Sequence, residues 1–486
     1  MIAQSTHANP KRGFGGSGAP ARRKAQRGAA SLIVVMVLFF IMSLVAAYTS
    51  RNLIFEQRTS VNQYRSTQAQ EAAEAGLEWA LAQLNGARID AVCTEAGAAA
   101  ADTSFRQRYL GINTSPPPDP TSGMITVLTQ AVAGTPPRRA GCVWTGVAWS
   151  CSCPSNGNPA LAAPAGGTGV YPAFWVSFST LDVARPGVVQ IVATGCTRPD
   201  ATCLGSTANS TNVEGRALMT AVVALKSAIT TPPVAALTVL GDSNVGVAAG
   251  VITTLINSDP SRGGITLQAG GVITTARFAL TSSPGTPGTA SVVASDASLS
   301  GLLAILPDDL KPPTLVPGFV PNDRAFAFTF GAWPNSFRLQ PGAVRLDCLA
   351  GGCGAALATA VTMNPDRVIW INGGLTVEAG VIVGTSVNPA VIVVAGNGAG
   401  VPGNVSLGAG AVINGVVYSR GSGPGPGPGP VITWAGPGMV RGAAFVEGNF
   451  TATSSHTIVF DGAVVDNLRL RAGSFVRVPG GWRDFP

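Results

Sequence analysis

A long apolar run near the N-terminus is the first feature of the hydrophobic pattern. Residues 29–48 are apolar apart from two serines, and no charged residue occurs between Arg27 and Arg51. In a helix, about 20 residues rising 1.5 Å each extend roughly 30 Å, which is the thickness of the hydrocarbon core of a bilayer. The run therefore predicts a transmembrane helix over residues 29–48.

The helical pattern continues beyond the apolar run. No proline occurs from residue 51 to residue 85, and Asn85-Gly86 is a suitable C-cap. Apolar residues recur at spacings of three, four and seven, which places them on one helical face: Val61, Tyr64, Ala69, Ala72, Ala73, Ala80 and Leu84. We therefore predict one continuous helix over residues 29–85, about 85 Å long, lipid-soluble in its first half and amphipathic in its second.

Three short runs further along the chain have the composition of β-strands. Residues 174–179 mix aromatic and β-branched residues with serine, residues 188–193 follow a turn at 185–187, and residues 217–225 form a third apolar run. These consecutive runs predict an antiparallel meander. With the long helix before it, the meander predicts an α+β head over residues 86–228.

From about residue 229 onward, a short phrase of small residues followed by apolar residues recurs. Copies occur at residues 249–252, 269–273, 379–382 and 409–413, with a weaker copy at 462–465. A tight turn before a short apolar strand is what one coil of a β-solenoid requires, because each coil buries its inner row only by stacking on the next. The copies are irregularly spaced, so a β-sandwich with long loops is the alternative for residues 229–486.

Two segments interrupt this repeating pattern. Residues 301–345 are rich in proline, and residues 423–430 alternate glycine with proline. Proline cannot donate a hydrogen bond to a β-ladder. We therefore expect an excursion from the coils at the first segment and an exposed loop at the second.

The composition favours a turn-rich, β-dominated protein over a helix-rich cytosolic enzyme. Only 11% of the residues are charged, against roughly 25% in a typical domain, and glycine and proline number 61 and 36 in 486 residues. Of the net charge of +7, residues 1–28 carry +6 and the remainder +1. The charge therefore indicates topology, with residues 1–28 in the cytoplasm and the chain after Arg51 exported. It does not predict a nucleic-acid partner.

The eight cysteines point to disulfides, because their number is even and the chain is predicted to be exported. Cys196 with Cys203, and Cys348 with Cys353, are close enough in sequence to close small loops. The other four can pair in more than one way: Cys93, Cys142, Cys151 and Cys153. A zinc site at residues 151–153 is the weaker interpretation, because the one-residue gap is shorter than the usual ligand spacing and no histidine is near.

The N-terminal sequence combines a basic leader ending at Arg27-Gly28, an apolar helix starting at Ala29, and an alanine- and glutamate-rich segment at residues 70–77. In these features it resembles the type IV pilin-like proteins, and among them the PilX-type minor pilins. This resemblance implies that a prepilin peptidase cleaves between Gly28 and Ala29. Where most major pilins have a glutamate at the fifth mature position, this chain has Ile33, which implies a minor component rather than the bulk subunit.

Residues suited to catalysis are few and scattered. His456 is the single histidine after the leader, with Asp461 near it in sequence, so a Ser-His-Asp triad would have no other base. Residues 308–309, Arg367 and Glu378 are isolated candidates. We therefore predict no catalytic residue, no metal and no cofactor, and a protein that is not an enzyme.

These features predict an α+β protein with four segments. They are a basic leader (1–28), a pilin-like helix (29–85), a disulfide-containing head (86–228) and a Gly-rich β-repeat domain (229–486). The resemblance implies a minor pilin or pilus assembly protein, single-pass in the inner membrane with its C-terminal part periplasmic, and extracellular after assembly. Its partners would be prepilin peptidase, the inner membrane and other pilins, with the β domain displayed as a surface or adhesive module.

Three alternatives follow from the same sequence. A minor pseudopilin at the tip of a type II secretion system would be exported in the same way and would also lack the glutamate. A membrane-tethered β-helix enzyme acting on carbohydrate is disfavoured by the scarcity of clustered acidic and basic residues. A plain signal-anchor helix needs neither the amphipathic extension nor the alanine- and glutamate-rich segment.

Overall fold

The computed structural model is an α+β structure with a long N-terminal helix and a large β domain, which confirms the predicted class. It describes residues 27–483, except for residues 98–101, 116–118, 132–135, 167–169, 182–183, 200–214, 244–248, 260–263, 283–291, 296–322, 349–351, 398–400 and 422–429. The leader up to residue 26 and most of the Gly-Pro segment therefore lie outside the described residues. The chain forms two compact units, Met1–Tyr64 and Arg65–Pro486.

The first helix agrees closely with the predicted one. The helices are α1 (Arg27–Leu84), α2 (Phe105–Tyr109), α3 (Asp323–Phe330), α4 (Pro334–Phe337), α5 (Gly354–Met363) and α6 (Gly462–Arg471), with a short 3₁₀ turn at Thr275–Arg277. Among the described residues, α1 is the one helix that is long and apolar enough to cross a membrane.

The head is built on an antiparallel sheet. Its strands are β1 (Arg88–Ile89), β2 (Thr103–Ser104), β3 (Leu110–Ile112), β4 (Ile125–Val127), β5 (Ala140–Trp144), β6 (Trp149–Ser152), β7 (Ala173–Ser179), β8 (Val188–Cys196) and β9 (Arg216–Ser227), joined by β26 (Gly473–Arg483) from the far end of the chain. Six of them form a sheet in the order β26-β9-β8-β7-β5-β6. The strands β7, β8 and β9 form the predicted antiparallel meander.

Within the second unit, the last part of α1 packs closely on this sheet. Ala69 and Ala73 are fully buried, and a side chain at Gly195 of β8 would collide with the backbone of both. Gly76 faces the ring of Phe174, and a Cβ at this position would lie about 3.0 Å from the ring, so the ring would have to shift. The small residues of the segment 70–77 therefore allow the helix backbone to approach the sheet.

The region after β9 is a parallel β-solenoid. Its strands are β10 (Leu237–Val239), β11 (Thr253–Asn257), β12 (Ile265–Ala269), β13 (Phe278–Ser282), β14 (Val292–Ser295), β15 (Ala343–Cys348), β16 (Val368–Gly373), β17 (Leu375–Val377), β18 (Ile382–Val383), β19 (Ala390–Val394), β20 (Val405–Leu407), β21 (Val412–Ser419), β22 (Val431–Ala435), β23 (Met439–Val446), β24 (Asn449–Ala452) and β25 (His456–Phe460). Neighbouring strands pair in parallel, β21 with β23 over eight residues. This parallel pairing selects the solenoid over the β-sandwich.

The coils are not stacked in the order of the sequence. The larger sheet runs β13-β11-β25-β23-β21-β19-β16-β15. Leu237 of β10 lies opposite Ala444 of β23, and Thr253 of β11 lies opposite His456 of β25. The first coils of the solenoid therefore rest on its last coils, and we call the β11–β25 pairing the seam.

The repeated phrase makes turns at three of its copies and fails at another. Gly250, Gly380 and Gly410 have φ values of 86°, 75° and 71°, a region that favours glycine because it has no Cβ. The weaker copy at 462–465 is instead the first turn of α6. The prediction of a coil turn there is wrong, because the side chain of Asp461 caps a helix by accepting a hydrogen bond from the amide of Val464 at 3.1 Å.

The proline-rich segment is described from residue 323 onward, and this part of it packs against the outer face of the solenoid. The helix α3 places the ring of Phe326 5.7 Å from that of Trp370 and 5.4 Å from that of Tyr418. Tyr418 stacks in turn on Phe445 of the next coil at 4.6 Å. The outward aromatic side chains of neighbouring coils are therefore buried under helix α3 rather than exposed.

Along the chain, the solenoid is inserted between β9 and β26, two neighbouring strands of the head sheet. Ser227, the last residue of β9, lies opposite Gly473, the first residue of β26, and the amide of Ala228 donates to the carbonyl of Ala472 at 2.7 Å. The chain thus leaves and re-enters the head at one place. Strand β26 (residues 473–483) pairs with β9 of the head, although the sequence places these residues in the Gly-rich β-repeat domain.

Candidate functional site

The candidate site is the exposed apolar surface of α1. All residues from Ser31 to Tyr64 are exposed, and they include large apolar side chains such as Phe39, with 73% of its surface exposed. Val61 and Tyr64, which the sequence places on the apolar face of the helix, are 48% and 62% exposed. Soluble monomers rarely leave a continuous apolar surface of this size uncovered, so it marks a membrane or protein contact.

Two hydroxyl side chains in the apolar first part of this surface, those of Ser43 and Thr49, are satisfied by the helix itself. The hydroxyl of Ser43 donates to the carbonyl of Phe39 at 2.8 Å, and that of Thr49 donates to the carbonyl of Val45 at 2.9 Å. Such bonds remove the need for water at these groups, which would cost several kcal/mol if unsatisfied in hydrocarbon. The surface is therefore suited to lipid or to another apolar helix.

The residues of the predicted processing site lie at the start of this helix. Gly28 and Ala29 fall in the first turn of α1, which begins at Arg27. Ile33 lies one turn further on and is 61% exposed. No charged group is therefore contributed at the position where major pilins have glutamate, and cleavage between Gly28 and Ala29 stays a prediction.

A buried polar node fastens the end of α1 to the C-terminal strand. The guanidinium of Arg106 donates to the carbonyls of Leu84 and Gly473, the latter at 2.7 Å. Asn85 pairs with Phe475 like a neighbouring strand residue, its Nδ2 donating at 2.9 Å and its Oδ1 accepting at 2.8 Å. Burial lowers the pKa of Arg106 to about 10. The group therefore stays cationic at neutral pH and satisfies the carbonyl at the C-terminus of α1.

Disulfides join cysteines of the head and of the solenoid among the described residues. The structure joins Cys93 to Cys153, Cys142 to Cys151 and Cys348 to Cys353. Cys196 is also disulfide-bonded, while Cys203 lies outside the described residues.

The Cys93–Cys153 bridge lies beside the buried Arg108. The guanidinium of Arg108 donates to the carbonyl of Cys153 at 2.5 Å and to that of Ile89 at 2.7 Å. The bridge and the arginine therefore hold the same pair of loops together.

The candidates for catalysis do not converge. His456 is buried next to the rings of Trp434 and Phe450, and Asp461 caps α6. Arg367 donates to the side chain of Asn364 at 2.8 Å. In the described part of the chain, no three metal-ligating side chains come together. Residues 308–309 lie outside that part.

The sequence pattern did not reveal a buried acidic group in the solenoid. Glu447 is fully buried, and its carboxylate accepts hydrogen bonds from the hydroxyl of Tyr418 at 2.6 Å and the amide of Gly421 at 3.2 Å. Arg420 lies 3.6 Å from it and also pairs with Asp323 of α3. A charged residue directly after an apolar strand was the available signal, but only the fold shows that it is buried.

Comparisons with known proteins bear on the N-terminal segment. The PilX N-terminal family matches residues 27–78, and no curated protein matches the chain. The competence-associated pilin ComZ from Thermus thermophilus is similar to 86% of this chain and 97% of its own length, at 11% identity and a TM-score of 0.21. A TM-score this low does not establish a shared fold, so the family match is the informative comparison. Residues 27–78 are thus similar to the N-terminal segment of the PilX family.

Proposed function

We propose that this protein is a minor pilin that is anchored in the inner membrane before assembly and packs its helix against those of other pilins afterwards. The observation that carries the proposal is the exposed apolar surface of α1 between Ser31 and Tyr64. This surface lies inside the segment that matches the PilX N-terminal family. The match points to a structural protein rather than an enzyme.

The two parts of the exposed surface would contribute differently to assembly. Residues 31–48 exchange lipid for helix contacts, so their gain comes from close packing rather than from the hydrophobic effect. Leu53, Ile54 and Tyr64 lie beyond the predicted span and are more than half exposed. Burying each of them against another helix removes apolar surface from water and contributes about 1–2 kcal/mol. The segment after the membrane span therefore provides the hydrophobic driving force.

Processing by a prepilin peptidase is the first test. Replacing Gly28 with leucine should prevent cleavage, because the residue before the cleaved bond would no longer be small, and the leader should remain on the protein. The same substitution at Gly13, inside the leader and away from the cleavage site, is the control and should leave a mature protein that begins at Ala29. The mature N-terminus is read by mass spectrometry. An identical mature N-terminus in a peptidase-deficient strain would contradict the proposal.

Recovery from filaments tests location together with processing. Protein sheared from the cell surface should contain this chain with Ala29 as its first residue. Absence from the filaments, together with loss of secretion of folded enzymes in a deletion strain, would favour the tip pseudopilin of a secretion system instead.

A further inference from the structure

Three buried polar side chains meet at the seam of the solenoid. Thr253 of β11 lies opposite His456 of β25, although about two hundred residues separate them in sequence. The ring of Trp434, on β22, lies 5.6 Å from that of His456. The exposed fractions of Thr253, His456 and Trp434 are only 1%, 3% and 1%.

Each of the three residues has a polar atom that no described group satisfies. These atoms are Oγ1 of Thr253, Nε2 of His456 and Nε1 of Trp434. One buried polar group without a hydrogen bond costs about 1–3 kcal/mol. Three of them around one strand pairing indicate a shared partner.

The hydrogen-bonding roles of the three atoms are complementary to a water molecule. Nδ1 of His456 lies 3.1 Å from the carbonyl of Ser454, and because a carbonyl only accepts, this nitrogen carries the proton. Nε2 of the neutral ring is then an acceptor, Nε1 of Trp434 is a donor, and the hydroxyl of Thr253 can be either. Burial also lowers the pKa of His456 and so favours the neutral ring.

We propose that one structural water molecule is bound among Thr253, Trp434 and His456. It accepts a hydrogen bond from the indole of Trp434, donates one to Nε2 of His456 and forms a third with the hydroxyl of Thr253. Buried waters typically make about three such bonds. The water links the first coils to the last, and its polar ligands oppose a one-residue slip of the seam, which would turn His456 away from them.

The sign of the stability change in Thr253→Val tests the proposal in the full chain, solubilised in detergent. Valine keeps the shape of threonine but removes the hydroxyl. With a bound water, the variant loses a ligand of that water, and amide hydrogen exchange in β11 and β25 should accelerate about 5- to 30-fold, the equivalent of 1–2 kcal/mol. Without it, the substitution removes an unsatisfied hydroxyl, and exchange should slow.

Thr238→Val is the matched control. Thr238 is 3% exposed and its Oγ1 also has no hydrogen-bond partner, but its strand neighbours are Phe445 and Gln268 rather than the residues of the seam. Exchange near β10 should be unchanged or slower in this variant.

A high-resolution map of the wild-type chain tests the water directly. A density peak is expected about 2.7–3.2 Å from all three atoms. The absence of that peak overturns the site. A peak combined with slower exchange in Thr253→Val overturns the role of the water in stabilising the seam.

Discussion

Glu447 is the residue whose surroundings make the stability of the solenoid depend on pH near neutrality. Burial raises the pKa of its carboxyl to about 7 from an ordinary value of 4.5, and Arg420 and the hydroxyl of Tyr418 oppose this increase. The folded state therefore binds a proton more strongly than the unfolded state. The contribution of this proton binding to the free energy of unfolding is fully present below pH 4.5 and is lost as the pH rises through 7.

Replacing Glu447 with glutamine should remove this dependence. Relative to the variant, the free energy of unfolding of the wild type should fall by about 3 kcal/mol between about pH 4.5 and about pH 7, since one pKa unit corresponds to about 1.4 kcal/mol. Denaturant unfolding across this range measures the difference. Glu74→Gln, at an exposed position of α1, is the control and should leave the profile unchanged. Parallel profiles for the wild type and Glu447→Gln would contradict the prediction.

At the scale of elements, the contact between α1 and the head sheet depends on backbone proximity. Gly195 of β8 lies directly against the backbone of Ala69 and Ala73. The atoms that a Cβ at Gly195 would meet belong to the helix backbone, so no flexible side chain can yield to make room. The position of the helix on the sheet is therefore determined by the absence of side-chain volume.

Alanine at Gly195 should displace the helix from the sheet. We expect a loss of about 1–3 kcal/mol in the stability of the head, as for other overpacked cores, together with faster amide exchange in α1 from residue 69 to residue 84. Gly97→Ala is the control, because nothing lies within 4 Å of a Cβ there. Equal stability of the two variants would show that the helix can shift at little cost.

At the scale of the whole molecule, the solenoid has the connectivity of an inserted cassette. It begins after Ser227 and ends before Gly473, two residues that face each other in an antiparallel pair. Such an arrangement lets a long insertion replace the turn of a hairpin with little change to the sheet. The buried node of Arg106 and Asn85 attaches the returning strand to the end of α1.

Replacing residues 228–472 with a short turn should therefore leave the head folded. The shortened protein is expected to keep the Cys93–Cys153 and Cys142–Cys151 bridges and an antiparallel β-spectrum in circular dichroism. Disulfide mapping checks the first expectation. Scrambled bridges in the shortened protein would show that the head needs the solenoid in order to fold.

The features predicted correctly from the sequence depend on neighbours along the chain. The long helix follows from an apolar run and a helical period that span it, and the meander follows from three strands that pair in sequence order. The coil turns follow from local Ala-Gly pairs such as those at residues 379–380 and 409–410. The resemblance to the PilX-type proteins rests on such a local segment, and the match over residues 27–78 confirms it.

The features that the sequence could not supply depend on residues far apart in the chain. The pairing of β11 with β25 joins Thr253 to His456, and the return of β26 to the head joins Ser227 to Gly473. Each strand of a solenoid offers a similar apolar face, so the local pattern does not specify which coil it stacks on. The sequence by itself determined the helix, the strands of the meander and the disulfide-bonded character. Only the tertiary structure decided the order of the coils, the place of insertion and the burial of Arg106 and Glu447, because these depend on long-range packing.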